Sequence, residues 1–239
     1  MKPKPLKPLG KTSKGLLGAL SIASGTTAYG AVMSVAPPPD LTATIPNTTT
    51  VNWDVNSDGI NDFTFTERYP NAATTGVIWQ ANMNPASGAS ATNGVVSYPG
   101  AFVQYAFALQ AGTVIGTSST FSVSILQIVL GSKYNYSGTP YYYGGFAADG
   151  RTAVTTANGA VTPGTFAFAG FRFSATDGIH YGWIKLAVSA GLIDFVSAAY
   201  ETTPLTNITA GAVPEPGTMA LLAIGAVGVL GAVAKRRRA

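Results

Sequence analysis

Between residues 50 and 211 apolar residues recur in short alternating runs, broken by Gly, Asn, Asp, Ser and Pro, and no stretch of a dozen residues repeats with a helical period. Period-two alternation of this length predicts half-buried strands, and many short strands separated by turn residues predict an all-β fold. The runs fall at 50–55, 62–67, 76–81, 102–109, 121–130, 141–147, 165–174, 179–189 and 193–201. Nine strands imply two packed sheets, an antiparallel, jelly-roll-like β-sandwich over residues 50–212. Residues 31–49, with Pro37-Pro38-Pro39, read as a linker or leading strand. The clearest local unit is the hairpin joining 165–174 to 179–189 across Thr176-Asp177-Gly178, because Asp-Gly between alternating runs suits a tight turn. In its second strand Ile184, Leu186 and Val188 share one face, and Tyr181, Trp183 and Lys185 the other. In its first strand Phe166 and Phe168 lie on the opposite parity to Phe171 and Phe173. That switch predicts a bulge at Gly170 in preference to a strand covered on both faces.

The two ends of the chain break the alternation. Residues 1–14 carry five lysines and no acid, and 15–28 are small, apolar and hydroxyl-bearing, the two regions of a secretory signal peptide. Ala28 and Gly30 supply the small residues a signal peptidase reads, which places cleavage between Gly30 and Ala31. At the other end Pro214-Glu215-Pro216 precedes an uncharged apolar run, 219–234, followed by Lys235, Arg236, Arg237 and Arg238. As a helix rising about 1.5 Å per residue the run covers roughly 24 Å. That is short for a hydrocarbon core of roughly 30 Å, but sufficient if the bilayer thins and the basic tail snorkels. The four cations predict a cytoplasmic C-terminus, with the preceding domain outside. Pro214 and Pro216 hold their segment extended, as a protease substrate must be.

Motif, span and basic stop, in that order, resemble the PEP-CTERM sorting signal, here residues 213–239. The resemblance implies a transient membrane anchor cut near Pro214, Glu215 and Pro216 by an exosortase, a membrane-embedded protease, and then a location at the cell surface or in the extracellular matrix. A second resemblance is carried by 181–186, Ala199-Tyr200-Glu201 and Gly211-Ala212-Val213, which are similar to the last strands of a β-rich ectodomain found among such proteins. It implies no catalytic role.

Charge changes the picture only after the ends are set aside. The chain has 14 basic and 10 acidic residues, but between Ala31 and Val213 five basic residues face nine acids, a net charge of −4. The basic excess therefore records membrane targeting at both ends, and nucleic acid is not an expected partner. The chain has no cysteine, so an exported domain must be held by its core alone.

One stretch carries recognisable ligand chemistry. Asp54, Asn56, Asp58 and Asp62 stand at positions 1, 3, 5 and 9 of a loop with Gly59 at position 6 and the carbonyl of Ile60 at position 7, a calcium-loop spacing that predicts weak Ca²⁺ binding. Position 12 is Phe65 instead of the bidentate Glu, so the loop is flanked by strands and is no EF-hand. The alternative is a turn in which Asp54 and Asn56 bond to the backbone. The tyrosines Tyr134, Tyr136, Tyr141, Tyr142 and Tyr143, with Tyr181 and Trp183, could stack on sugar rings, which makes extracellular polysaccharide a candidate partner and a lectin-like module the alternative function. No enzyme is expected. His180 is the single histidine and reads as a strand-end residue, no Gly-x-Ser-x-Gly elbow is present, and a carboxylate pair drawn from Glu67, Asp149, Asp177, Asp194 and Glu201 cannot be tested by spacing.

Overall fold

The computed structural model describes residues 31–70, 76–100, 102–123, 127–147 and 161–214. The expected leader 1–30, Asp149 and the tail from Glu215 onward, with its apolar run and basic stop, lie outside the described residues. Within them the chain forms β1 (Val32–Val35), β2 (Leu41–Thr42), β3 (Thr48–Trp53), β4 (Phe63–Arg68), β5 (Val77–Pro85), β6 (Gly94–Pro99), β7 (Gln104–Ala106), β8 (Val114–Ile115), β9 (Phe121–Ser122), β10 (Ile128–Tyr136), β11 (Thr139–Tyr143), β12 (Ala167–Ala175), β13 (Gly178–Ser189), β14 (Leu192–Glu201) and β15 (Ile208–Thr209).

The fold is all-β, as the alternation requires, but two separate antiparallel sheets are not what forms. One continuous hydrogen-bonded path runs β1-β14-β13-β12-β6-β7-β10-β5-β4-β3. Its hinge is β6, which pairs with β12 through Val95 and Gly94 and with β7 through Ser97, Tyr98 and Pro99. The sheet is also mixed, since β7 runs parallel to β10. Sequence periodicity missed β6 because Gly94-Val95-Val96-Ser97 is buried on both sides and so does not alternate. It also missed β8 and β15, two-residue strands too short to have a period.

The two halves of the path face each other across the main core. Trp53 and Phe63 of one half meet Phe171 of the other at 5.2 and 5.3 Å between ring centroids, and Phe65 meets Phe195 at 4.8 Å. Edge-to-face packing of this kind adds to the burial of large rings. Gly182 leaves room for the Phe171 ring against β13, because a Cβ there would clash with a carbon of that ring.

The hairpin β12–β13 forms as expected around Thr176 and Asp177, with Ala175 opposite Gly178. The expected bulge at Gly170 does not. β12 pairs with β13 without interruption from Ala167 to Ala175, and both faces of the strand are covered. Phe171 and Phe173 enter the main core, while Phe168 packs on a second cluster of Val96, Ile115, Tyr181, Trp183, Ala199, Ile208 and Ala210. Gly170 sits where the side chains of Val96, Leu109 and Ile115 close over the strand. The switch in phenylalanine parity thus records two hydrophobic layers, one on each side of β12. The bulge lies instead between β13 and β14, at Lys185 and Leu186.

Candidate functional site

Three places hold the residues singled out by the sequence. The first is where the chain leaves the fold. β15 pairs with β8, the Ala210 amide donates to the Thr113 carbonyl at 2.8 Å, and the Ala212 amide donates to Thr209 at 2.9 Å. Ala210 is buried and Ala212 packs on the second cluster, beside Tyr181 and Trp183. Val213 and Pro214 are then exposed, and Pro214 is the last described residue. Val32, at the start of β1, packs on the same cluster, and the carbonyl of Ala31 accepts the Thr202 amide at 3.0 Å. Val32 and Ala212, near the two ends of the described β domain, are therefore packed on one hydrophobic cluster. Glu215 and Pro216 lie outside the described residues.

Tyr181 and Trp183 form the centre of that cluster. Each is 3 % exposed; Trp183 packs edge-on against Phe168 at 5.3 Å, and Tyr181 stacks with Phe121 at 5.8 Å. They cannot be the exposed sugar platform the sequence suggested, because β8, β9 and β15 cover the face they occupy.

The second place is the loop 54–62. Its carboxylates serve the backbone: Asp54 accepts the amides of Asp58 at 3.2 Å and Gly59 at 2.7 Å, and Asp58 accepts that of Ile60 at 2.8 Å. Ser57 and Gly59 take positive φ. Asp62 is different. It is buried, with one oxygen accepting the Val55 amide at 3.0 Å and the other accepting Asn93 Nδ2 at 3.0 Å, while Asn93 in turn receives the Ser174 amide at 2.9 Å. Burial, partly opposed by these two bonds, pushes its carboxyl up to about 6. Asp62 thus ties the loop to β12. Among the described residues no three carboxylate or imidazole groups are gathered around one point as metal ligands. Asp58 and Ile60 are exposed, and Asp54 and Asn56 are half-buried.

The third place is the outward face of β3, β4, β5 and β10. With Phe63, Phe65, Trp79, Ala81 and Met83 in the core, the alternate residues form cross-strand rows: Asn52, Thr64 and Asn84; Thr50, Thr66 and Asn82; Thr48, Arg68, Gln80 and Ser132, the last opposite Tyr143 of β11. Beside them run Tyr98, Tyr105, Tyr143 and Tyr134, with successive ring centroids 5.5, 6.4 and 5.5 Å apart. Of the suggested sugar-stacking residues, Tyr141 and Tyr143 flank this face, while Tyr142 turns to the other side, under Lys133 at 5.2 Å. Sequence reading missed Tyr98, Tyr105 and the amides. The amides had a signal, since Gln80, Asn82 and Asn84 alternate with Trp79, Ala81 and Met83.

His180 is a structural tie. Its Nδ1 lies 2.8 Å from the Glu201 carbonyl and its Nε2 2.8 Å from Asp177 Oδ1, joining the β12–β13 turn to the end of β14. That hydrogen bond holds the Asp177 carboxyl below the usual range.

The family model for the PEP-CTERM protein-sorting motif matches residues 212–238. No curated protein and no solved structure matches the chain. The match starts at Ala212, the last residue packed on the fold, and covers the Pro-Glu-Pro tripeptide, the apolar run and the basic stop in the order read from the sequence. The chain thus carries a PEP-CTERM protein-sorting motif at residues 212–238.

Proposed function

We infer that the protein is exported, held in the membrane by its tail as a precursor, and released or attached at the cell surface or in the extracellular matrix by an exosortase, with its β domain in a structural or interaction role. The observation that carries this reading is the abutment of motif and fold. Among the described residues packing ends at Ala212, and in the sequence the six residues 213–218 separate it from the apolar run. Fully extended, six residues reach about 20 Å. A membrane-embedded protease can therefore reach the motif only with the domain standing directly over it, and cleavage there leaves the folded core intact. Cleavage after Gly30 is equally compatible, because Ala31 is already bonded to Thr202 at the edge of the sheet.

A lectin-like role for the domain is the second reading, favoured by the tyrosine and amide face. Ca²⁺ is a lesser part of the proposal. The loop holds it weakly through Asp54, Asn56, Asp58 and the Ile60 carbonyl, since Asp62 is committed to Val55 and Asn93.

The test is membrane fractionation in the native host. If the motif is read by a protease, Glu215→Ala leaves an uncut precursor in the membrane, because Glu215 is the one charged side chain between Val213 and the span. Replacing Arg236, Arg237 and Arg238 with Ser weakens the topological stop instead, so that protein inserts poorly. Normal processing of the Glu215 variant would leave a plain tail anchor. The intact mass of the mature protein should correspond to a start at Ala31 and an end near Pro214.

A further inference from the structure

β3 lies at one end of the hydrogen-bonded path, and among the described residues it pairs with β4 alone. The phase of that pairing decides which of its backbone groups are left over. The Tyr69 amide donates to the Asn47 carbonyl at 3.0 Å, and these two residues continue the register that sets Thr48 opposite Arg68. Hydrogen-bonded and open pairs alternate along an antiparallel ladder. Thr49 and Val51 therefore bond to β4, while the N–H and C=O of Thr48, Thr50 and Asn52 point away from it. All three residues are exposed, and among the described residues no backbone group pairs with these outward amides and carbonyls. Each residue offers one donor and one acceptor.

Sheet edges are commonly blunted by shortness, charge, proline or a bulge. The molecule uses these devices elsewhere. β1, at the other end of the path, has four residues and leads into Pro37-Pro38-Pro39, and β11, bonded to β10, carries Pro140. β3 has six residues, no charge, no proline and no register shift against β4. Such a row of backbone donors and acceptors takes an extended strand. Its side chains indicate which one.

We propose that the occupant is β3 of a second copy of this chain, paired antiparallel about a two-fold axis through Thr50. Thr50 then faces Thr50 of the second copy, and Thr48 faces its Asn52. β3 already makes both kinds of side-chain pair within the molecule: Thr50 Oγ1 lies 3.3 Å from Thr66 Oγ1, and Thr64 Oγ1 donates to Asn52 Oδ1 at 2.9 Å. The two-fold repeats Thr with Thr and Asn with Thr on the same outward face, so the pattern of β4 and β3 continues across the junction. On the other face the half-buried Val51 comes against Thr49 of the second copy. A strand of unrelated sequence would meet the same backbone groups without these side-chain partners. Since β3 carries no charge, the acidic domains set no like charges opposite one another there. A single edge strand buries less than the roughly 800 Å² per partner of a standard interface. The pair is accordingly weak in solution and forms where tethering raises the local concentration of copies. It names the partner for the interaction role inferred above and rests on that reading only for the tether.

The chain has no cysteine, so single cysteines report the register. Full-length Thr50→Cys protein is reconstituted in vesicles of phosphatidylethanolamine and phosphatidylglycerol, oxidised mildly and run on non-reducing gels. Opposed residues of a hydrogen-bonded pair have Cα atoms about 5.5 Å apart, within the roughly 4.4–6.8 Å that a disulfide spans. A linked dimer is expected. Thr48→Cys and Asn52→Cys alone should each give at least about tenfold less, because each lies four residues, roughly 14 Å, from its own counterpart. Mixed in one vesicle, those two variants should link to each other as readily as Thr50→Cys links to itself. Thr50→Lys added to both members of the mixed pair should cut the yield at least about tenfold through like-charge repulsion, and Thr50→Lys in one with Thr50→Asp in the other should restore it. In native-host membranes Thr50→Cys should give the same dimer band. The proposal is overturned if a Thr50→Cys variant that melts like the parent stays monomeric, or if all three single-cysteine variants link equally, as random collision gives. A disulfide to a different protein in the native host, in place of the dimer, would overturn it too. Flotation of the protein with the vesicles measures the tail anchor separately, so loss of the anchor and loss of the pairing are distinguishable.

Discussion

Glu67 is a carboxyl group sealed inside the molecule, and it should make the domain lose stability as pH rises. The side chain is fully buried on the core side of β4, where one oxygen accepts the Gly191 amide at 3.1 Å across the two halves of the sheet and the other has no partner. Burial raises its pKa from an ordinary 4.5 to about 8, with the Gly191 bond opposing only part of that rise. Between those two values the unfolded chain gives up the proton while the folded one keeps it, so stability falls with pH. This contribution is fully present below pH 4.5 and is lost by about pH 8. At about 1.4 kcal/mol for each pH unit, the gap sets a ceiling of about 5 kcal/mol, and relaxation or water entry around the carboxylate would reduce it. The perturbation is Glu67→Gln, which keeps an acceptor for Gly191 and cannot ionise. Any constant cost of the amide drops out if the variant is compared with the parent at each pH. The same comparison removes the parallel contribution of Asp62, whose carboxyl lies near 6, while the lowered carboxyl of Asp177 acts only at pH values below this window. Urea denaturation of residues 31–214 at half-unit steps from pH 4.5 to 8.5 gives the difference directly. The variant should gain on the parent steadily through this window, by at least about 2 kcal/mol in all. Two curves that run parallel from end to end would refute the reasoning, because a Glu67 that ionises normally leaves no pH-dependent difference.

Three further outcomes follow from the same structure. Phe171→Ala removes the ring that touches Trp53, Phe63 and Phe173, and should cost about 3–5 kcal/mol in urea denaturation; a loss below about 1 kcal/mol would mean that the two halves do not meet there. Millimolar Ca²⁺ should raise the melting temperature of residues 31–214 by a few degrees over chelator if the rim of loop 54–62 holds the ion, and Asp58→Ala should erase the difference; identical midpoints in the parent would leave only the turn. Asp62→Asn should behave unlike Asp58→Ala, lowering stability with or without Ca²⁺, because it disturbs the bonds to Val55 and Asn93; equal melting of Asp62→Asn and the parent in chelator would count against that anchoring role.

Much of this protein can be read along the chain because the relevant physics is local. Alternation with a period of two makes strands, and the turn residues 176–178 between two alternating runs mark the hairpin, which closes across Thr176 and Asp177. The sorting signal lies in 27 consecutive residues, where order and composition are the whole message. The parity of Ile184, Leu186 and Val188 against Tyr181 and Trp183 was equally visible, and the structure keeps it. What parity cannot tell is whether the second face of a strand meets water or another layer. That depends on β8, β9 and β15, two-residue segments far away in the chain, and they turn Tyr181 and Trp183 from a presumed sugar platform into part of the cluster on which Val32 and Ala212 pack. The same limit applies to the third place. Gln80, Asn82 and Ser132 come from β5 and β10, and Tyr98, Tyr105 and Tyr143 from three other strands, so they become neighbours only through register. Asp62 shows the limit within a single loop, where spacing made it one of four side-chain ligands and the distant Asn93, folded against it, made it an anchor. Local sequence determined the strands, the hairpin and the address; which side chains share a surface was decided by long-range pairing, which no short window of the chain contains.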